Sequence, residues 1–362
     1  MKVDAVKHIL FLVGPALGHV SRCLTIAREL NKISIHKITF ICVTPGYGEK
    51  LIKSEYPIIN IKYKERGDCI FADGVEKVIS ELKPDLVCVD LTPMKWLTLV
   101  RFHQTKTLYI TNYFLTNVCQ YQTIQQIRFN DQKNEINLIR KSRGLAKLTN
   151  IKDLYDLDSV LLCDPIQFVN DKQKLNQKYH VVGPCFWEPE IEMPIELEPL
   201  NDILFVSLGS TGRMPIPNRI IDEIAIELNI KNVVWLGANL KKMQPRANYT
   251  NHYYSWLPAS KLIKKSKFVI SQGGSGSTYQ ALSYGVPCGV WPTHKNQEIL
   301  GSIIEKKTYG LLLHNSVDVK EKLHTLYETF KSNCIQLSKS ISSTNSPFYS
   351  AKLIIKFIDR GM

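Results

Sequence analysis

The chain of 362 residues is long enough for two domains that each bury a core of their own. Its 44% hydrophobic and 22% charged residues are those of a globular protein and exclude a disordered or low-complexity chain. The 46 Lys and Arg against 33 Asp and Glu give a net charge of +13, spread along the chain and accompanied by no nucleic-acid-binding signature.

The first predicted element is a strand at His8–Val13. Its apolar run is too short for a signal-peptide core or a membrane span, and no later run reaches spanning length, so a cytoplasmic location is expected. The nine cysteines agree with a reducing compartment: their number is odd and no Cys-x-x-Cys occurs. Cys42, Cys88 and Cys163 lie in strand-like runs, where the thiol acts as a small hydrophobe. After the first strand comes Gly14-Pro15-Ala16-Leu17-Gly18-His19-Val20-Ser21-Arg22, which enters a helix over Val20–Leu30 with Val20, Leu24, Ala27 and Leu30 on one face. Gly18 permits a close turn that leaves the His19 imidazole projecting, and a neutral imidazole suits proton abstraction near pH 7. The plain alternative is a histidine at a helix N-terminus.

Further strands are expected at Lys37–Val43, Ile58–Tyr63, Asp85–Val89 and Thr107–Thr111, alternating with helical patterns as in βαβ units on a parallel sheet. The stretch Gln120–Lys152 carries seven Lys and Arg against two Asp and Glu, a local excess of five, and its weak periodicity allows helix with loop. Strand-like runs return at Ser159–Cys163 and His180–Val182.

Residues 184–200 hold four prolines and five glutamates and read as a linker. The domains are therefore expected at 1–183 and 201–345, leaving 346–362 as a C-terminal helix, with packing back on the first domain one outcome. The second domain alternates strands at Ile203–Leu208, Asn232–Leu236, Phe268–Ser271 and Cys288–Trp291 with helices at Pro217–Asn229, Ala259–Lys265, Gly276–Tyr284 and Asn296–Lys306. Two such α/β units suggest two facing Rossmann-like domains with parallel sheets and an inter-domain cleft.

The strongest constellation is Ser271-Gln272-Gly273-Gly274-Ser275-Gly276-Ser277-Thr278, between a predicted strand and a predicted helix. Glycines let a ligand approach the backbone, and a helix N-terminus offers unpaired N–H groups and partial positive charge, which suits a diphosphate. Taken alone, an unliganded tight turn is an equal alternative. Around it stand Trp256-Leu257-Pro258, Gly285-Val286-Pro287, Trp291-Pro292 and Asn296-Gln297.

In order and spacing, the block from Trp256 to Gln297 resembles the donor-binding signature of the UDP-glycosyltransferase superfamily, whose members have the GT-B fold. The resemblance implies that Trp256 stacks on the base, that the loop from Gln272 to Thr278 holds the diphosphate, and that Asn296 and Gln297 bind the sugar. Val182-Gly183-Pro184 and Phe205-Val206-Ser207-Leu208-Gly209-Ser210 are similar to the superfamily's domain junction and to the strand that opens its donor domain, with Ser210 toward the phosphates. Gly18-His19 stands where the superfamily carries its general base. Asp90, closing the fourth strand, fits the aspartate that orients that histidine as in a Ser-His-Asp triad, a turn-capping carboxylate being the alternative.

Three positions depart from the superfamily pattern: its loop histidine is Gln272, its ribose-binding glutamate is Gln280 and its sugar-binding aspartate is Asn296. A thymidine donor, which lacks the 2′-hydroxyl, is then as compatible as a uridine one. The resemblance implies a metal-independent inverting glycosyltransferase that moves a sugar from a UDP- or dTDP-sugar to a hydroxyl acceptor. Two alternatives stay open. Gly18–Leu24 also resembles the start of the UDP-sugar hydrolases of pseudaminic acid synthesis, and the three departures would suit a non-catalytic sugar-nucleotide-binding subunit. The histidines are scattered and no carboxylate pair is placed to hold Mg²⁺ against a diphosphate, so neither metal nor cofactor is expected. The basic residues Arg128, Lys133, Arg140, Lys141, Arg143 and Lys147 suit peripheral contact with an anionic membrane, with a solvated face as the alternative. No nucleic-acid partner is expected.

Overall fold

The computed structural model describes residues 6–14, 16–43, 47–61, 69–91, 97–119, 121, 123–170, 172–209, 216–237, 240, 248–314 and 318–360. The chain forms two compact units, Met1–Trp187 with Asn345–Met362, and Glu188–Thr344.

The first unit is built on a seven-stranded parallel sheet. Its strands are β1 (His8–Val13), β2 (Lys37–Cys42), β3 (Ile58–Asn60), β4 (Leu86–Asp90), β5 (Lys106–Thr111), β6 (Ser159–Leu162) and β7 (Tyr179–Val181). They are apolar nearly throughout because a parallel sheet is covered on both faces; Phe11 of β1 stacks on Phe40 of β2 with ring centroids 4.9 Å apart. The helices are α1 (Leu17–Ile33), α2 (Tyr47–Lys53), α3 (Ile70–Leu82) and α4 (Ile124–Ser142). The order β3-β2-β1-β4-β5-β6-β7 reverses between β1 and β4. Chain segments leaving neighbouring strands there diverge and open a crevice at the carboxyl ends, the usual ligand position of such sheets.

Weak periodicity left α4 ambiguous, but a local signal sets its start. Thr123 Oγ1 accepts from Gln126 N, and Gln126 Oε1 accepts from Thr123 N, a reciprocal capping box. Two of the basic residues in this stretch are turned inward. Arg143 donates to Asp73 at 2.6 Å and to Glu76 at 2.7 Å, and Arg140 donates to the carbonyls of Ala146 and Thr98.

The second unit has a six-stranded parallel sheet of β8 (Ile203–Ser207), β9 (Asn232–Leu236), β10 (Thr250–Tyr254), β11 (Ser266–Ser271), β12 (Cys288–Val290) and β13 (Gly310–Leu312). Its helices are α5 (Asn218–Glu227), α6 (Ala259–Ile263), α7 (Ser275–Ser283), α8 (Lys295–Lys306) and α9 (Val319–Ser342). The order β10-β9-β8-β11-β12-β13 reverses between β8 and β11. Sequence patterning missed β10 and β13. The first is the polar edge strand Thr-Asn-His-Tyr-Tyr, and the second has three residues, so ladder bonding to β9 and β12 defines them.

The last helix, α10 (Ser346–Arg360), belongs to the first unit. Its Ala351, Ile354 and Phe357 share one core with Val20, Leu24 and Ala27 of α1. Lys106 Nζ donates to the carbonyls of Phe357 at 2.8 Å and Ile358 at 2.7 Å, which satisfies acceptors left open at a helix C-terminus. The proline- and glutamate-rich stretch 184–200 is divided between the units rather than free of both. Cys185 is buried in the first core with Trp187 against it, while Glu188 accepts from Ser260 N and Glu196 from Tyr254 Oη in the second unit. No helix among the described residues is long and apolar enough to cross a membrane.

Candidate functional site

In the first unit, β1 and β4 end side by side at the point of reversal, held by Gly14 N donating to the Asp90 carbonyl at 2.9 Å. A side chain at Gly14 would press within 3.2 Å of the His19 ring, so the glycine leaves room for the imidazole. Gly18 does not make the turn expected of it. It is the second residue of α1, has no positive φ, and its missing Cβ faces open space. The chain turns before the helix, and His19 sits in its first turn.

His19 Nδ1 lies 2.5 Å from Asp90 Oδ1. A carboxylate only accepts, so Nδ1 carries the proton and Nε2 is the ring's basic nitrogen. The His19 side chain is 27% exposed and Asp90 2%, which puts the imidazole at the surface and its partner beneath it.

Asp90 has a second, stronger partner that sequence reasoning quoted but gave no role. Arg22, one helical turn after His19 and 5% exposed, grips the carboxylate with Nε to Oδ2 and Nη2 to Oδ1, both at 2.8 Å. Its Nη1 donates to Asn112 Oδ1 at 2.7 Å. Burial opposes the guanidinium charge, but the adjacent Asp90 prevails and raises the Arg22 pKa above its usual value. Asn112 in turn donates to the Cys163 carbonyl at 3.0 Å and to Asp164 Oδ1 at 3.2 Å, and Asp164 Oδ2 accepts from Tyr113 N at 2.6 Å. The carboxyl-end loops of β4, β5 and β6 are thus tied to the first turns of α1 by one buried polar chain.

In the second unit the loop from Gln272 to Gly274 joins β11 to α7, beside the end of β8, at that sheet's own point of reversal. Gly273 has φ +82°, and a Cβ there would meet Val290 Cγ1 at 2.7 Å and the Gln297 carbonyl at 2.9 Å. Only glycine fits this contact of the loop with β12 and the first turn of α8. Gly274 is the N-cap residue of α7, and side chains added at Gly274 or Gly276 would meet open space. No acidic residue occupies the first turn. The helix start is therefore open to an anion, with its N–H groups and dipole unopposed.

The loop hydroxyls divide in two. Thr278 is fully buried and shares a 2.9 Å hydrogen bond with Ser271, whose oxygen also accepts from Gly273 N at 3.1 Å, so Thr278 braces the loop instead of offering its hydroxyl outward. Ser275 and Ser277 stay partly exposed, and Ser277 Oγ accepts from Ser207 Oγ at 3.4 Å. Gln272 and Gln280 are buried, each 7% exposed, and Gln272 Oε1 approaches the Gly209 turn after β8. Ser210 lies outside the described residues. Gln297 Oε1 accepts from Thr293 N at 2.7 Å and from Thr293 Oγ1 at 2.8 Å, and half-buried Asn296 precedes it in the first turn of α8. Half-buried Trp256 leads through buried Leu257 and Pro258 into α6, which packs against α7. Loop, tryptophan and Asn-Gln pair are thus carried by elements around one sheet edge.

Among the described residues no group of three His, Cys, Asp or Glu is arranged to hold a metal ion. The sequence does contain one Asp-x-Asp, Asp156-Leu157-Asp158, contrary to the expectation of no such pair. Asp158 accepts from Thr107 N at 2.7 Å and Thr107 Oγ1 at 2.9 Å, at the amino end of β5 and β6, opposite the edge carrying His19 and Asp90.

No protein-family profile matches the chain. It is 26% identical over 363 residues to a protein named uncharacterized glycosyltransferase from Methanosarcina mazei, with 90% of each chain covered. It is 24% identical over 352 residues to a PGL/p-HBAD biosynthesis rhamnosyltransferase from Mycobacterium bovis, covering 85% of this chain and 77% of that one. Among solved structures, the spinosyn forosaminyltransferase SpnP superposes with a TM-score of 0.74 at 14% identity, covering 98% of this chain and 100% of that one. The solved structure shares the fold, two parallel-sheet units of the GT-B kind, and the sequence relatives are named glycosyltransferases. Together they support a glycosyltransferase enzyme with the GT-B fold.

Proposed function

We propose that the chain transfers a sugar from a UDP- or dTDP-sugar to a hydroxyl acceptor with inversion at the anomeric carbon, using His19 as general base and no metal. The observation that carries this reading is the His19–Asp90 pair. Nδ1 is held by a buried carboxylate, so Nε2 is left to take a proton, and the ring stands at the surface of the first unit. In the reaction the acceptor hydroxyl gives its proton to Nε2 while its oxygen attacks the anomeric carbon. The bond to the nucleoside diphosphate breaks on the opposite face, and the electron pair leaves with the diphosphate. One displacement inverts the centre. Asp90 stabilises the imidazolium that forms.

The departing diphosphate gains negative charge, which the open first turn of α7 is suited to receive. Activity is accordingly expected to survive exhaustive chelation. Loss of turnover that returns with Mg²⁺ or Mn²⁺ would count against this account.

Trp256→Ala is expected to weaken UDP or dTDP binding through lost stacking area, with little change in the melting temperature of the unliganded protein. Wild-type affinity in a titration calorimeter would remove Trp256 from base recognition.

A thermal-shift panel of nucleoside diphosphates and their sugars tests the donor assignment, because a ligand that binds only the native state raises its stability. The rhamnosyltransferase relative puts a 6-deoxyhexose donor in that panel. Product analysis then separates the readings: glycoside with nucleoside diphosphate for a transferase, free sugar with nucleoside diphosphate for a hydrolase in which His19 activates water, and no turnover for a binding subunit. Of the six basic residues that suit contact with an anionic membrane, Arg140 and Arg143 are committed to the first unit's own carbonyls and carboxylates, so such contact would rest on Arg128, Lys133, Lys141 and Lys147.

A further inference from the structure

The geometry points to Arg22, braced by Asn112, as the positioning residue that holds Asp90 in the one orientation from which it locks the His19 tautomer. This inference rests on the proposed role of His19 as base. Asp90 alone would be a poor guide for an imidazole, because a carboxylate on a short side chain is free to turn and offer either oxygen. Arg22 removes that freedom. Its planar fork engages both oxygens at 2.8 Å, which sets the plane of the carboxylate and leaves Oδ1 aimed at His19 Nδ1. The fork is itself fixed from behind. Nη1 donates to Asn112 Oδ1, and the Asn112 amide is pinned to the Cys163 carbonyl and to Asp164, which accepts from Tyr113 N. Asn112, Asp164, Arg22 and Asp90 are each 5% exposed or less, so little water competes for these bonds.

A purely structural ion pair is the competing explanation, and the arrangement argues against it in one respect. Asp90 Oδ1 is shared between Arg22 Nη2 and His19 Nδ1, so any rotation that loosens the fork also moves the acceptor away from the imidazole. A lysine at position 22 would keep the charge and lose the fork.

The test is ¹⁵N NMR of the full chain labelled at histidine, with the His19 signals assigned by their absence in His19→Gln. In the wild type, His19 is expected to show the widely separated nitrogen shifts of a single neutral tautomer, with Nδ1 protonated. In Arg22→Lys and in the milder Asn112→Ala the two shifts are expected to move toward each other as the tautomers exchange. With an acceptor that supports turnover, kcat is expected to fall at least about 10-fold, and the KM for the donor to stay within about 2-fold of wild type. Asn112→Ala leaves the ion pair itself in place, and Asn112→Asp, which keeps the oxygen facing Arg22 Nη1, serves as a second variant, each taken to the spectrum only where its melting curve shows a folded protein. A folded Asn112→Ala or Arg22→Lys with the wild-type His19 spectrum overturns the inference, as does full rescue of spectrum and kcat by lysine. Because the spectrum is read without turnover, failure of the positioning idea is distinguishable from failure of His19 as base, which His19→Gln reports through kcat alone.

Discussion

Turnover of the His19→Ala variant is expected to fall by about 10²–10⁴-fold at saturating donor and acceptor, the range typical of a positioned general base. Folding should be little affected, for two reasons. The His19 side chain is partly exposed, so its removal leaves only a small cavity, and Asp90 keeps both of its bonds to Arg22 and is not stranded. Donor affinity should also hold, because the proposed donor contacts lie on α7, α8 and the Trp256 segment of the other unit. Nucleoside diphosphate release, followed alongside the melting temperature and UDP or dTDP binding, checks all three. Wild-type turnover with intact binding would take His19 out of the mechanism.

The Asp90→Ala variant is expected to lose stability as well as activity, which sets it apart from His19→Ala. Arg22 would keep its charge, buried and held, among the described residues, by the neutral Asn112 alone. Removing one partner of a buried ion pair costs about 3–5 kcal/mol, since the remaining charge has no compensation. In a domain of this size that corresponds to a fall in melting temperature on the order of 10 °C. Asp90→Asn is expected to cost less stability, because an amide oxygen still accepts from Arg22. Its activity should still drop, because an amide N–H turned toward Nδ1 favours the wrong tautomer. Denaturant or thermal unfolding of the three proteins decides the matter. An Asp90→Ala protein as stable as wild type would mean that the Arg22 charge is balanced elsewhere.

Much of the second unit's candidate site was legible because its signals are local. Gln272-Gly273-Gly274 sits directly between β11 and α7, so one short stretch contains the strand end, the turn and the helix start that the proposed anion site requires. Within that stretch the pattern did not separate hydroxyls that face out from those that face in. Thr278 reads like Ser277 on paper, yet one turn of α7 carries it under the loop to Ser271. Gly18 misled for a similar reason. Glycine marks freedom, not direction, and here it lies inside a helix while Gly14 provides the space for the imidazole.

By itself, then, the sequence determined the alternation of strands and helices in two units, the glycine-rich loop between β11 and α7, and the places of Trp256 before α6 and of His19 at the start of α1. These are properties of neighbours, written in periods of two and 3.6 residues and in turn residues between them. Only the tertiary structure decided what His19 rests on. The separations along the buried chain are 71 residues from His19 to Asp90, 90 from Arg22 to Asn112 and 52 from Asn112 to Asp164. No spacing rule relates such residues. They meet because the sheet order β1-β4-β5-β6 sets four strand ends side by side, and that order is chosen by long-range burial and ladder bonding over the whole unit.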